Sequence, residues 1–195
     1  MRYEYPEGAT PLDEGSRSQL IPSLTMQSEL NEFEQANIEM AVVWAQKSRK
    51  LKTELLTIAG LQLLHRKMFD QTWRWAGKFR QVNTNIGVDW PLIQEAVFRL
   101  CGDVRFWIEN NTYSWSELAV HFHHRLVSIH PFPNGNGRHS RLATDLILTF
   151  HQQPAFTWGG GSNLQNAGTD RKEYLASLRD ADAGDIGRLL RFVLK

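Results

Sequence analysis

The segment 130–141 gathers the side chains of this chain that are best suited to acid–base and phosphate chemistry. It reads His-Pro-Phe-Pro-Asn-Gly-Asn-Gly-Arg-His-Ser-Arg, so a histidine opens it and two arginines lie near its end. Histidine is the side chain that exchanges a proton near neutral pH without a large pKa shift. We therefore interpret His130 as the general base for a substrate that the rest of the segment binds.

The glycines and arginines of this segment predict a polyphosphate site. Residues 134–137 have the composition of a turn, and apolar residues follow at helical spacing, so the loop is expected to open into a helix. Amides at a helix N-terminus attract anions, and glycine lets the backbone approach a ligand closely. Arg138 and Arg141 share one face of the first turn, where two cations destabilise the helix unless an anion binds. Taken singly, each residue also fits a plain turn, a solvated face or a packed core.

The order of residues in this segment resembles the signature of the Fic/Doc family, which is His-x-Phe-x-Asp/Glu-Gly-Asn-Gly-Arg-x-x-Arg. All but one of the specified positions match. The resemblance implies a Fic-type helical bundle that transfers a nucleotide, usually AMP from ATP, to a Ser, Thr or Tyr hydroxyl of a target protein. It implies that His130 deprotonates this hydroxyl. It assigns the phosphates to five residues: Gly135, Asn136, Gly137, Arg138 and Arg141.

Asn134 is the departure from the signature, because the family has an acidic residue there that holds the Mg²⁺ on the nucleotide phosphates. An amide oxygen can bind a hard cation but brings no charge. We expect Mg²⁺ or Mn²⁺ to arrive with ATP and to bind Asn134 weakly through its carbonyl oxygen, and we expect Asn134→Asp to raise activity. The alternative is a catalytically weakened scaffold that binds a nucleotide or a partner.

Helical patterns surround this segment and predict the elements that position it. Ser114 and Glu117 form the pattern of a capping box, which begins a helix that ends at His130. Apolar periodicity predicts helices over 28–49, 53–69, 92–109, 115–129, 136–151 and 170–193. The predicted fold is all-α, a Fic-type helical bundle with one short β-hairpin.

The hairpin is predicted over 75–88, where the sequence alternates and is split by Asn-Thr-Asn. From the alternation alone it is as well explained as a structural hairpin. The family resemblance implies a flap whose backbone pairs with the target as an added strand. The residues assigned to this docking flap are Phe79, Arg80, Gln81, Val82 and Asn83.

Glu34 invites a regulatory interpretation, because it lies beside the apolar stripe of the predicted helix 28–49. Some Fic proteins carry an inhibitory helix whose glutamate pairs with the second signature arginine and blocks productive ATP binding. The hypothesis is that Glu34 pairs with Arg141 in this way. The alternative is that Glu34 only borders the core.

Composition bounds the domain organisation. With 195 residues, we expect an extended N-terminal arm over 1–27 and one Fic domain over 28–195.

A net charge of +1 gives no basic field for nucleic acid. Cys101 is the single cysteine, so no intrachain disulfide can form. There is no signal-peptide pattern and no long apolar span, so we expect a cytoplasmic protein that binds neither nucleic acid nor membrane.

The arm and residues 29–37 also resemble the Fic subgroup called mobile mystery protein B. Its members are associated with bacterial mobile elements, which implies a toxin-like role and a small, antitoxin-like partner protein. Relatives with variant signatures transfer UMP, a phosphoryl group or phosphocholine, whereas the Gly-Asn-Gly-Arg core here matches the AMP-transferring kind.

The histidines raise a different hypothesis, a metal-dependent hydrolase. His121, His123, His124, His130 and His139 crowd a short segment. The His-Glu-x-x-His pattern is absent, however, and the spacing does not favour a zinc site.

Overall fold

Helices build the architecture, in a computed structural model that describes residues 8, 10–161, 164 and 168–195. The α-helices are α1 Glu14–Arg17, α2 Gln27–Lys47, α3 Arg49–Glu54, α4 Ile58–Phe69, α5 Ile93–Asn110, α6 Trp115–Ile129, α7 Asn136–Phe150, α8 Thr169–Asp182 and α9 Gly187–Val193. A 3₁₀ turn, Trp90–Leu92, precedes α5. The helical bundle confirms the predicted all-α fold. Among the described residues, no helix is long and apolar enough to cross a membrane.

Helix boundaries follow local capping chemistry. The predicted helix 28–49 ends at Lys47, because Ser48 leaves the helical region and its hydroxyl accepts the Leu51 amide at the start of α3. Thr57 caps α4 in the same way by accepting the Gly60 amide. The predicted helix 170–193 is two helices, separated where Gly184 adopts a φ of 95°.

Two apolar clusters meet at α6. Leu118, Phe122 and Leu126 face the larger cluster, which also takes in α2, α4, α5 and α7. Ala119 and Val120 face a smaller cluster formed with α8 and α9. Helix α6 is therefore packed on both sides, and the position of its last residue is fixed by both clusters.

The segment 75–88 does not form the predicted β-hairpin. It consists of turns and bends, and the only β-pairing among the described residues is an isolated bridge between Leu20 and Trp73. The alternation predicted paired strands, but the segment pairs with the end of α6 instead. The amide of Arg80 donates to the Pro131 carbonyl at 2.9 Å, and the amide of Val88 donates to the Ile129 carbonyl at 3.3 Å.

The buried guanidinium of Arg80 explains this arrangement. Arg80 is only 3% exposed. Its Nε donates to the carbonyl of His130 at 2.7 Å, and its Nη1 donates to that of Val82 at 2.8 Å. Its Nη2 donates to the carbonyls of Val88 and Ile129. One side chain thus binds carbonyls on both sides of the segment and at the end of α6, so these groups are not available for a strand ladder.

We expect Arg80→Lys to lower the free energy of unfolding by about 2–4 kcal/mol, because one ammonium group cannot satisfy four carbonyls around a planar fork. Urea denaturation measures this loss. Arg74→Lys, which changes an exposed arginine of the same region, is the matched control and should change stability by less than about 0.5 kcal/mol. Equal effects of the two substitutions would contradict the role assigned to Arg80.

Candidate active site

His130 lies at the C-terminal end of α6 in a left-handed conformation, with φ 54° and ψ 59°. The helix begins at the predicted capping box, in which Ser114 accepts the Glu117 amide and the Glu117 carboxylate accepts the Ser114 amide. A left-handed residue other than glycine costs about 1–2 kcal/mol. The bond from Arg80 to the His130 carbonyl holds this turn in place. The chain therefore leaves α6 abruptly and enters the glycine-containing loop.

The ring of His130 is held as a neutral base. Its Nδ1 lies 3.2 Å from the Val127 carbonyl, which can only accept, so Nδ1 carries the proton and Nε2 presents a lone pair. Burial, opposed by the Val127 hydrogen bond and helped by the charge of Arg80, lowers the pKa of His130 to about 4. At pH 7 the imidazole is neutral, which is the form that a general base requires.

The hydroxyl of Thr10 occupies the free nitrogen of His130. Its Oγ1 lies 2.8 Å from Nε2, and both residues are 6% exposed. Since Nε2 has no proton, the hydroxyl is the donor. Sequence reasoning missed Thr10, because the Pro- and Gly-rich arm has no periodicity that indicates where it packs.

The loop between α6 and α7 is closed by the side chain of Asn136. Its Oδ1 accepts the Phe132 amide at 2.9 Å, and its Nδ2 donates to the Phe132 carbonyl at 2.8 Å. Phe132 is fully buried, and its ring stacks on His65 with centroids 3.7 Å apart. The side chain of Asn136 is thus used in the loop itself, so any contact of this residue with a phosphate falls to its backbone amide.

The two glycines of the loop differ in what they require. Gly135 has a φ of 77°, and a Cβ there would lie 2.6 Å from the Phe69 ring, so only glycine fits. Gly137 lies in the first turn of α7, where a Cβ would be 3.5 Å from the Arg141 guanidinium. First-turn amides have no intrahelical acceptor, and such amides attract anions.

The side-chain oxygen, the side-chain nitrogen and the backbone carbonyl of Asn134 all have hydrogen-bond partners. Its Oδ1 accepts the Gly135 amide at 2.7 Å, its Nδ2 donates to the Thr10 carbonyl at 3.1 Å, and its own carbonyl lies 3.1 Å from His65 Nε2. The protein offers a metal ion one neutral oxygen here. The described residues contain no group of three His, Cys, Asp or Glu side chains that could hold a metal. This donor set therefore does not form a resident metal centre.

Glu34 pairs with Arg138, not with Arg141 as predicted. The Glu34 Oε2 lies 2.6 Å from the Arg138 Nη1, and the Glu34 Oε1 accepts the indole N–H of Trp73 at 2.6 Å. Both charged side chains are largely buried, at 8% and 15% exposure. The geometry explains the difference, since Arg138 lies in the first turn of α7 over the ring of Phe69, on the side that faces α2.

Arg141 faces the opposite side of the site. Its guanidinium lies 5.7 Å from the ring centroid of Tyr174 on α8. The Tyr174 hydroxyl in turn lies 2.9 Å from Nε2 of His123. Burial, with the charge of Arg141 as a second cause, lowers the pKa of His123 to about 3, so this histidine is neutral and structural.

The residues assigned to the docking flap separate into two groups. Gln81, Val82 and Asn83 are exposed. Phe79 is half-buried, and its ring centroid is 5.4 Å from that of Phe132. The assignment of Arg80 to docking is wrong, because its guanidinium is buried and bound to backbone carbonyls of this chain. Only the first group lies where a target can reach it.

The other histidines contact separate partners and do not surround a common metal site. Nε2 of His124 bonds to Asp182 at 2.8 Å, Nε2 of His139 bonds to the Leu61 carbonyl at 3.0 Å, and the ring of His121 packs on Tyr113. His123 and His130 have the partners described above. This divergence does not support the zinc hydrolase hypothesis.

Curated relatives of this chain carry adenylyltransferase names. "Protein adenylyltransferase fic-1" of Caenorhabditis briggsae is 32% identical over 123 residues, which cover 62% of this chain and 23% of that protein. "Probable protein adenylyltransferase y4lH" of Sinorhizobium fredii is 26% identical over 173 residues, covering 84% of this chain and 82% of that protein. The chain thus spans about a quarter of the nematode relative and most of the bacterial one.

Solved structures share the fold. BepC, a Bartonella effector from Bartonella tribocorum with bound AMPPNP, superposes with a TM-score of 0.69 at 16% identity, covering 93% of this chain and 97% of that one. A Fic domain containing signaling protein from Bacteroides thetaiotaomicron gives a TM-score of 0.62 at 20% identity, with coverages of 89% and 70%. The model of the Fic/DOC family matches residues 55–148, which include the whole loop between α6 and α7. Residues 55–148 thus carry a Fic/DOC family domain.

Proposed function

We propose that this chain transfers AMP from ATP to a Ser, Thr or Tyr hydroxyl of a target protein, with His130 as the general base. The observation that carries the proposal is a hydroxyl bonded at 2.8 Å to the unprotonated nitrogen of a neutral, buried His130, at the entrance to the glycine loop. The adenylyltransferase names of the relatives support the same chemistry.

In this proposal the target hydroxyl attacks the α-phosphorus of ATP while its proton passes to Nε2 of His130. The bond between the α-phosphorus and the oxygen bridging to the β-phosphate breaks, and pyrophosphate leaves. The amides of α7, with Arg138 and Arg141, bind the phosphates and stabilise the developing charge. Arg138 must exchange Glu34 for phosphate, which is the basis for autoinhibition in the proposal. Mg²⁺ or Mn²⁺ would enter with ATP and neutralise phosphate charge, with Asn134 as a weak ligand.

Target docking is proposed for the exposed part of the segment 75–88. Gln81, Val82 and Asn83 lie on the surface next to the residues that bind the end of α6. Their exposure supports backbone pairing with an extended target strand. The resemblance to mobile mystery protein B supports a toxin-like role with an antitoxin-like partner, and both remain part of the proposal.

A second candidate function is a nucleotide- or partner-binding module without transfer. The engagement of Asn134 with Thr10 and Gly135 favours it, because the side chain that would bind the metal already has partners. Measured ATP binding without transfer in any variant would distinguish the module from the enzyme.

Transfer of label from α-labelled ATP, with Mg²⁺ or Mn²⁺, to a bacterial lysate or to the chain itself tests the proposal. We expect His130→Ala to reduce labelling by about 10²–10⁴-fold, the range typical of a lost general base. His151→Ala, which removes an exposed histidine at the end of α7, is the control and should label like the wild type. Equal labelling by His130→Ala and the wild type would refute the assignment.

We expect Glu34→Gly to increase labelling by about tenfold or more, because a charge-assisted hydrogen bond worth about 1.5–3 kcal/mol no longer holds Arg138 away from phosphate. Initial rates of self-labelling measure the effect. Glu32→Gly introduces the same glycine at an exposed position of α2 and controls for the cost to the helix. A rate that does not rise in the folded variant would show that Glu34 is structural only.

We expect Asn134→Asp to raise the turnover with lysate proteins and to lower the Mg²⁺ concentration at half-maximal activity, because a carboxylate adds a charged ligand. It also removes the amide donor to the Thr10 carbonyl. Asn134→Ala removes both the ligand and the donor, and should require more Mg²⁺. An Asp variant with equal or lower turnover would contradict the prediction.

A further inference from the structure

Thr10 lies where the proposed reaction needs its acceptor. Its hydroxyl donates to Nε2 of His130, the atom that takes the proton from a target hydroxyl under the proposed function. Thr10 is itself buried, and the arm passes directly over the loop between α6 and α7. A target hydroxyl and the Thr10 hydroxyl would therefore compete for the same nitrogen.

The described part of the arm is held against the domain at this contact and directly after it. The Thr10 carbonyl accepts from Nδ2 of Asn134, and Leu12 is buried in the larger apolar cluster. The Leu12 carbonyl accepts from Nε of Arg17 at 2.8 Å. The hydroxyl is thus oriented before any nucleotide binds, which gives an intramolecular reaction its advantage over a bimolecular one.

Asn134 links this arm to the loop. Its side-chain Oδ1 accepts from the Gly135 amide, while its side-chain Nδ2 donates to the Thr10 carbonyl. A carboxylate at this position has no proton to donate at neutral pH, and its negative charge would face the partial negative charge of the Thr10 carbonyl oxygen. The amide that departs from the family signature is therefore the group that this arm contact requires.

We infer that Thr10 is the intramolecular acceptor of this enzyme, modified in cis by the nucleotide transfer proposed above, on which the inference rests. The Thr10 Oγ1 forms a bond to the α-phosphorus of ATP, the bond from that phosphorus to the bridging oxygen breaks, and pyrophosphate leaves. The hydroxyl proton passes to Nε2 of His130. The product is a phosphodiester that joins Thr10 to the adenosine, and ATP is the only co-reactant consumed.

The test is peptide mass spectrometry of the full chain after incubation with ATP and Mg²⁺. The variants are Thr10→Val, which keeps the shape but removes the hydroxyl, and Thr10→Ser, which restores a hydroxyl. Thr112→Val is the matched control, since Thr112 is exposed at the opposite end of α6. Labelling of lysate proteins is measured in the same samples.

We expect the AMP adduct on Thr10 in the wild type and Thr112→Val, on residue 10 in Thr10→Ser, and nowhere in the arm of Thr10→Val. The fraction modified per unit time should not change over a tenfold dilution of the protein, as a reaction in cis requires. We expect Thr10→Val to label lysate proteins faster, because Nε2 is then open to them.

His130-dependent label on other residues or on lysate proteins, with Thr10 unmodified, would overturn this inference and leave the proposed function intact. A modification rate that falls tenfold on dilution would overturn the cis reaction. Absence of transfer from every variant, Asn134→Asp and Glu34→Gly included, would overturn the proposed function and the inference together.

Discussion

The position of His130 depends on the buried guanidinium of Arg80. A helix that ends in a left-handed histidine leaves carbonyls exposed at its terminus, and two of these, from Ile129 and His130, bind Arg80. The same fork binds the carbonyls of Val82 and Val88. Because one side chain binds both the turn after α6 and the segment 75–88, the positions of His130 and of the proposed docking surface depend on each other.

The two arginines of the signature are held in different states by their surroundings. Arg138 is paired with Glu34 in a largely buried contact, so under the proposed function phosphate has to displace a carboxylate to reach it. Arg141 instead lies against the ring of Tyr174. On the base side, Thr10 occupies Nε2 of His130. Under the proposed function, the site is therefore closed at both ends, where α2 covers the phosphate position and where the arm covers the acceptor position.

The sequence predicted most of the helices and the loop, because these depend on local periodicity and capping. Helix α6 begins at its capping box and ends before His130 as expected. The sequence did not predict the fold of residues 75–88, because an alternating pattern cannot show that a buried arginine will bind the carbonyls that a hairpin needs. The partner of Glu34 and the packing of Thr10 were also out of reach, since both depend on contacts more than one hundred residues apart. Asn134 was visible as a departure from the signature, but its bond to the arm was not.

Nitrogen-15 NMR of the full chain across pH reads the protonation state of the His130 imidazole and so tests its role as the base. We expect a neutral ring at pH 7, protonated at Nδ1, that titrates near the pKa of about 4. We also expect Thr10→Val to shift the Nε2 resonance, because that nitrogen loses its donor. A ring that is cationic at pH 7, or protonated at Nε2, would contradict the claim that His130 is held ready to take a proton from a hydroxyl.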